Sequence, residues 1–366
     1  MSELLYQIAL TQIPNVGAVT AKNLIGYCGS AEAVFKSNKK NLLKIPNIGE
    51  VTADTIIKSE VLHKAEKEMR FAEKHEVQLL SYTDAAYPDR LKQRHDAPIV
   101  LFYKGTADLN HSRIISIVGT RQPTAYGIKM CEQIVEELLP YNVLIVSGLA
   151  YGIDITAHRK SLDLGIPTVA VMGTGFQRIY PHENRQTAQK MCDNGGLLTE
   201  YFSEQMPDRE HFPMRNRIIA GMCDAVLIIE TAEKGGSMIT AKQSINLGKE
   251  TFAVPGRVGD KLSVGCNELI KQQLVYVLES VQDISNVLRW EQLDTAHSAP
   301  QLQLFQNLNA GEQLLFDTIK QFEAGMLIDQ ISYITQKSPG EIAGTLLSLE
   351  FKGLVRALPG KKYMVG

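Results

Sequence analysis

Between residues 76 and 290 two hydrophobic patterns alternate. Short apolar runs rich in β-branched residues fall at 114–118, 143–147, 167–172, 196–199, 225–229, 250–254 and 274–278. Between most of them apolar positions recur at helical spacing, for instance over 127–139, 153–164 and 238–248. Buried strands separated by amphipathic helices predict an α/β fold, a parallel sheet covered on both faces. The segment is too short for eight complete βα units, so an extended Rossmann-like open sheet is expected rather than a closed barrel. Residues 1–75 read as helical. Residues 291–310 (EQLDTAHSAPQLQLFQNLNA) are polar and Gln-rich and read as a linker. Residues 311–366 carry three helical patterns, at 311–323, 326–335 and 339–352. Two short strands follow around Pro359-Gly360, which together predict a winged-helix-like domain.

The first segment contains an internal repeat. IPNVGAVTAKNLI (Ile13–Ile25) and IPNIGEVTADTII (Ile45–Ile57) share Ile, Pro, Asn, Gly, Val, Thr, Ala and the final Ile. Each reads as helix, Pro-Asn-x-Gly turn, helix. The pattern resembles a helix-hairpin-helix, whose turn offers backbone N–H groups to a DNA phosphate. That motif's second turn glycine is here Ala18 in one copy and Glu50 in the other, and Glu50 repels phosphate. A helical hairpin that only packs is the alternative.

Composition narrows the function classes. The 366 residues are 44% hydrophobic and 21% charged, an ordinary globular balance. No apolar run approaches the roughly 18 residues of a membrane span, and no secretory leader is visible, so a cytoplasmic protein without membrane partners is expected. Five cysteines without a C-x-x-C pair argue against a zinc site or a disulfide framework. The formal net charge is −2, so any nucleic-acid binding must rest on local cationic clusters.

In an open parallel sheet, ligands bind beyond the carboxyl ends of the strands. Five of these ends carry glycine: GTRQPT (with Gly119, Thr120, Arg121), SGLAYGID (with Ser147, Gly148, Tyr151), GTGFQRIYPHENR (with Gly173), ETAEKGGSMITA (with Lys234, Gly235, Gly236, Ser237) and PGRVGD. Five glycine-bearing ends predict an anion-binding rim, with Ser237 placed to cap a helix. FPMRNR adds Phe212, Arg215, Asn216 and Arg217, cations beside an aromatic, as phosphate clamping and base stacking require. One of the two arginines is expected to pair with a carboxylate such as Glu200 or Glu230. Asp154 and His158, at i and i+4, share a helix face. A helix-capping Asp with a hydrogen-bonded His accounts for them better than an acid/base pair.

These residues together are similar to the DNA-processing protein A (DprA/Smf) family. The likeness runs through YPDRL (Tyr87–Leu91), APIVLFYKG (Ala97–Gly105), IVGTRQPTAYG, VSGLAYGIDITAH, AVMGTGFQRIYPHEN, FPMRNRIIAGM, GGSMITA, VPGRVGDKLSVGCNELI and the winged tail. The resemblance implies an extended Rossmann fold between a helical domain and a winged helix. It implies sequence-independent binding and protection of single-stranded DNA, a homodimer through the Rossmann-like domain, and loading of the RecA recombinase, as in natural transformation. It implies no catalytic activity, no cofactor and no metal.

Matched position by position, Arg121, Arg215, Arg217 and Lys234 would hold phosphates along with Gly119, Thr120, Ser147, Gly148, Gly173, Asn216, Gly235, Gly236 and Ser237. Tyr151 and Phe212 would stack bases. The chain departs from the family at Tyr151, where an arginine is usual, and at Gly235, where serine is usual. It departs again at Gln272 and Gln273, where a Gly-Ala pair is usual. With about four cations on phosphates, log K would fall with log salt at a slope of roughly −3. The alternative is a Rossmann-like nucleotide phosphoribohydrolase of the lysine-decarboxylase-like group, although VPGRVGD lacks that group's P-G-G-x-G-T loop. The missing G-x-G-x-x-G argues against a dinucleotide enzyme.

Overall fold

The computed structural model describes residues 2–58, 60–292, 308–322, 326–352, 354–358 and 362–365. It divides into two units, Met1–Leu293 and Asp294–Gly366. Most of the linker expected over 291–310, and the turn at Pro359-Gly360, lie outside the described residues.

In the first unit the chain begins with α1 (Glu3–Thr11), α2 (Ala18–Cys28), α3 (Ala31–Lys36), α4 (Lys39–Leu42), α5 (Glu50–Lys58) and α6 (Val61–Lys74). The sequence repeat is also a structural repeat. Asn15 and Asn47 both take a left-handed φ of 64°, and Ile13, Val16, Ile45 and Ile48 are all buried. The copies have separate environments. The first is tied to the loop at residues 94–95, where Lys22 donates to the carbonyls of Arg94 and His95 at 3.1 and 3.3 Å. The second keeps Val51 and Ile57 exposed, with Glu50 in the first turn of α5. Helix residues share one apolar cluster with Val77, Ile99, Val100 and Phe102 of the sheet's edge.

The sheet follows with β1 (Gln78–Ser81), α7 (Asp89–Lys92), β2 (Val100–Gly105), β3 (Ile114–Val118), α8 (Ala125–Glu137), β4 (Leu144–Ser147), α9 (Ile153–Asp163), β5 (Thr168–Val171), α10 (Arg185–Met191) and β6 (Gly195–Thr199). It ends with α11 (His211–Met222), β7 (Ala225–Ile228), α12 (Gly236–Asn246), β8 (Glu250–Ala253), α13 (Val264–Lys271), β9 (Tyr276–Val277) and α14 (Val281–Leu288). The order is β1-β2-β6-β5-β4-β3-β7-β8-β9. From β6 to β9 every pairing is parallel, so the expected Rossmann-like sheet is present. Its first edge is extended by β2 and β1, both antiparallel, which the strand pattern had not placed. β1 and β2 are joined through residues 82–99, which include α7, and pair antiparallel at the edge.

Strand alternation feeds two cores. Ile114 and Val118 of β3 pack with Ile218, Ile219 and Met222 of α11 on one face. Ile115 and Ile117 pack with Ile134 of α8, Ile153 of α9 and Ile284 of α14 on the other. Beyond β3 the chain moves outward through β4, β5 and β6, then returns by α11 to β7 on the far side of β3. The β3/β7 border is therefore the switch point of the sheet, where a crevice opens at the carboxyl ends.

His158 of α9 is fully buried. Its Nδ1 lies 2.7 Å from Thr168 Oγ1, whose hydroxyl donates to the Ile145 carbonyl at 3.0 Å. Nδ1–H is thus the donor, and among the described residues Nε2 has no partner. Burial, aided by the charge of Arg215, depresses its pKa from 6.5 to about 3. The unfolded chain takes up this proton below pH 6.5 and the native state does so only near pH 3. Stability is therefore lost as pH falls through that window, by up to about 1.4 kcal/mol per pH unit. Urea midpoints measured between pH 7 and 5 are expected to fall less steeply in His158→Asn, which keeps an N–H for Thr168. An unchanged slope would contradict the assignment.

At the turn after α13, Gln273 takes a left-handed φ of 55°. This is the backbone region that suits glycine.

The second unit has α15 (Ala310–Lys320), β10 (Met326–Leu327), α16 (Ile328–Thr335), α17 (Pro339–Phe351), β11 (Val355–Leu358) and β12 (Lys362–Val365). Its sheet order is β10-β12-β11, around a core of Leu315, Ile319, Ile331, Ile342, Leu346 and Leu349. This is a winged helix. Lys352, the basic residue following α17, is turned onto buried Glu312 at 2.7 Å. The outer side of α17 therefore presents Ala343, Gly344 and Leu347 with Glu341 and Glu350, a poor surface for a phosphate backbone.

Candidate functional site

At the switch point the loops after β3, β4, β5 and β7, together with α11, enclose a cavity of about 720 Å³. Its walls include Gly119, Thr120, Arg121, Asp154, Tyr180, Arg209, Phe212, Arg215, Asn216, Gly235, Gly236 and Ser237. Four of the five glycine-bearing loops read from the sequence line this cavity, and PGRVGD, after β8, does not.

The N-termini of α8 and α12, both at this edge, differ. That of α8 is occupied by the protein itself. Thr124 caps it, its Oγ1 accepting from Gly127 N at 3.1 Å. Buried Glu230, just beyond β7, then accepts from Thr124 N at 2.9 Å and from Thr124 Oγ1. A methyl group on Gly127 would lie 2.3 Å from the Glu230 carboxylate. The helix pole that holds pyrophosphate in dinucleotide folds thus already carries a negative charge. Glu230→Ala is expected to cost about 1–3 kcal/mol in chemical denaturation, because Thr124 loses its buried acceptor. A variant as stable as wild type would show the carboxylate to be unnecessary.

The N-terminus of α12 is open. Gly235, not Ser237, occupies the cap position, and no side chain caps the helix. Ser237 Oγ instead donates to Thr231 Oγ1 at 2.8 Å, so its hydroxyl serves the turn. The amides of Gly236 and Ser237 have no partner among the described residues, and space around Gly236 is clear. Free N–H groups and the positive end of the helix dipole face the cavity.

The arginines divide into two classes. Arg215 and Arg217, read from the sequence as a phosphate clamp, are 4% and 7% exposed. Arg215 donates to the Gly148 carbonyl at 2.6 Å and to that of Val171, and its Nε donates to Asn216 Oδ1 at 3.1 Å. Burial lowers its pKa to about 10 against the opposing pull of Asp154. Arg217 pairs with Glu200 and donates to the Asp96 carbonyl at 2.7 Å; it does not line the cavity. Pairing of one arginine with Glu200 was expected, but the other is equally committed to the interior. Arg121 and Arg209, by contrast, are exposed on the cavity wall with no ion pair or hydrogen bond among the described residues. Arg209 escaped notice in the sequence because Asp208 and Glu210 flank it. Lys234 is exposed in the turn before α12 and does not line the cavity.

Asp154 does not cap α9; Gly152 does. Asp154 Oδ2 accepts from Gly148 N at 3.1 Å and Ala150 N at 3.4 Å, pinning the loop after β4. A methyl group on Gly148 would lie 2.6 Å from both this oxygen and the Arg215 guanidinium. Burial raises the Asp154 pKa, while Arg215 and the two N–H groups oppose the rise. Asp154 and His158 share a helix, yet only Asp154 reaches the cavity. Ser147 is buried, its Oγ donating to the Ile117 carbonyl at 2.6 Å.

The aromatic groups form a short ladder. The Arg121 guanidinium sits 5.5 Å from the Phe212 ring centroid, and the Tyr180 and Phe212 rings are 5.5 Å apart at 39°. Phe212 also presses on Gly173, where a methyl group would meet its ring at 2.9 Å. Tyr151 is exposed, but its hydroxyl donates to Glu183 at 2.7 Å and it stands outside the cavity wall.

The chain was compared with known proteins. A model of the DNA recombination-mediator protein A family matches residues 78–289. A SAM-like helix-hairpin-helix tandem matches 8–59, and a DprA winged helix domain matches 299–361. Protein Smf of Synechocystis is 31% identical over 395 aligned positions, covering 99% of this chain and 98% of that one. The crystal structure of DNA processing protein A from Streptococcus pneumoniae superposes with a TM-score of 0.67 at 30% identity, over 80% of this chain and 99% of that one. DNA processing protein A from Helicobacter pylori, solved for its single-stranded DNA binding mode, gives 0.54 at 29% identity, over 59% and 97%.

Proposed function

Because the chain belongs to the DNA recombination-mediator protein A (DprA/Smf) family, we propose that its switch-point cavity holds the backbone of single-stranded DNA without regard to sequence. One observation carries this. Among the described residues, the cations Arg121 and Arg209 and the first amides of α12 stand unpaired on the cavity wall. Phosphate oxygens accept only, so such a wall suits a sugar-phosphate chain, whose contacts carry no sequence information. Arg121 and Arg209 make the primary contacts, assisted by Asn216, the Gly119–Thr120 loop and Gly235–Ser237. Lys234 meets the strand outside the cavity. Arg215 and Arg217 support the wall from behind.

The role is binding rather than catalysis. Asp154 is committed to the loop and to Arg215, and His158 is buried away from the cavity. Glu230, the carboxylate that a phosphoribohydrolase would need, is buried against Thr124 and lies outside the cavity wall. We further propose that the protein works in the cytoplasm as a homodimer through its Rossmann-like domain. There it protects incoming strands and delivers them to the RecA recombinase. Among the described residues no helix is long and apolar enough to cross a membrane, and all five cysteines are free.

Fluorescence anisotropy tests the reading. Oligo-dT, oligo-dC and oligo-dA are expected to bind within a few-fold of one another, and at least about tenfold tighter than duplex of equal length. Preference for duplex would overturn it.

A further inference from the structure

We propose that Tyr180 is the platform on which one unpaired base stacks, and that this contact lets the site select single strands; the inference rests on the DNA reading above. The phosphate-facing groups cannot supply that selection. Arg121, Arg209 and the α12 amides address a backbone that duplex DNA also presents. Selection has to come from a group that engages a base face, which is hidden in a duplex and exposed in a single strand.

Of the aromatic rings at this edge, Tyr180 and Phe212 line the cavity, whereas Tyr126, Tyr151 and Tyr201 do not. Phe212 is half-buried and already in contact: Gly173 lies against it, the Arg121 guanidinium stands 5.5 Å from its centroid, and Tyr180 packs at 5.5 Å. Tyr151 is tied to Glu183 outside the cavity wall. Tyr180 lines the cavity, is 42% exposed, and its hydroxyl has no hydrogen-bond partner among the described residues. Phe212 fixes the tilt of the Tyr180 ring, so the outer face of that ring is held ready beside the exposed cation of Arg121. A base laid there places its own phosphates within the arc of Arg121, Arg209 and the α12 N-terminus.

The test compares oligo-dT with an oligomer of the same length carrying abasic sugars, whose phosphates are unchanged. Wild type is expected to bind oligo-dT about tenfold tighter than the abasic strand. Tyr180→Phe and Tyr151→Leu should both keep that ratio. Tyr180→Leu should bring it near one while leaving affinity for the abasic strand unchanged. The assignment is overturned if Tyr180→Leu keeps the tenfold ratio, or if Tyr151→Leu or Tyr180→Phe removes it. If wild type binds neither strand, the DNA reading itself is overturned.

Discussion

Asp154→Ala is expected to destabilise the protein by about 3–5 kcal/mol, the largest single effect near the site. The carboxylate accepts from two loop amides and balances the buried Arg215 charge. Removing it leaves a guanidinium in a desolvated position with no counter-charge, which costs far more than the pair contributes while intact. The double variant Asp154→Ala/Arg215→Leu should recover part of the loss, because deleting both charges removes the uncompensated one. Urea unfolding of the single and double variants measures both effects. A loss below about 1 kcal/mol for Asp154→Ala would show that Arg215 is not held as described.

Arg121→Ala should do the opposite: it should leave the fold intact and weaken binding. The side chain is exposed and has no protein partner other than the face of Phe212, so stability should move by less than about 0.5 kcal/mol. Losing one charge-assisted contact to phosphate should weaken single-strand affinity by about 10- to 100-fold. The loss should be the same for oligo-dT, oligo-dC and oligo-dA, because a phosphate contact carries no sequence information. A loss confined to one sequence would mean that Arg121 reads a base.

The parallel core was legible in the sequence because its strands are buried on both faces and appear as uninterrupted β-branched runs. Ile114–Val118 is the clearest. The edge strands were not. Gln78–Ser81 is four residues long and partly exposed, so no period stands out, and its pairing with Val100–Gly105 depends on a tertiary edge. At the site, glycine-bearing strand ends located the rim, since chemistry and topology coincide there. The fate of individual charges was hidden, because it is settled by partners far away in the chain. Arg217 meets Asp96 and Glu200 across 121 and 17 residues, and Thr124 meets Glu230 across 106. Motif position therefore placed Arg215 and Arg217 on the ligand, whereas burial commits both to the protein interior. Arg209, cancelled in the sequence by its acidic neighbours, emerges only from the geometry.

That redistribution changes what the site should measure. With Arg215 and Arg217 committed internally, the available cations are Arg121, Arg209 and Lys234 rather than four motif residues. The most direct test is the salt dependence of oligo-dT binding by the wild-type protein. Three phosphate contacts predict that log K falls with log salt at a slope of roughly −2, at about 0.7 per phosphate on single strands. Affinity that does not change with salt would contradict a site built to hold a DNA backbone.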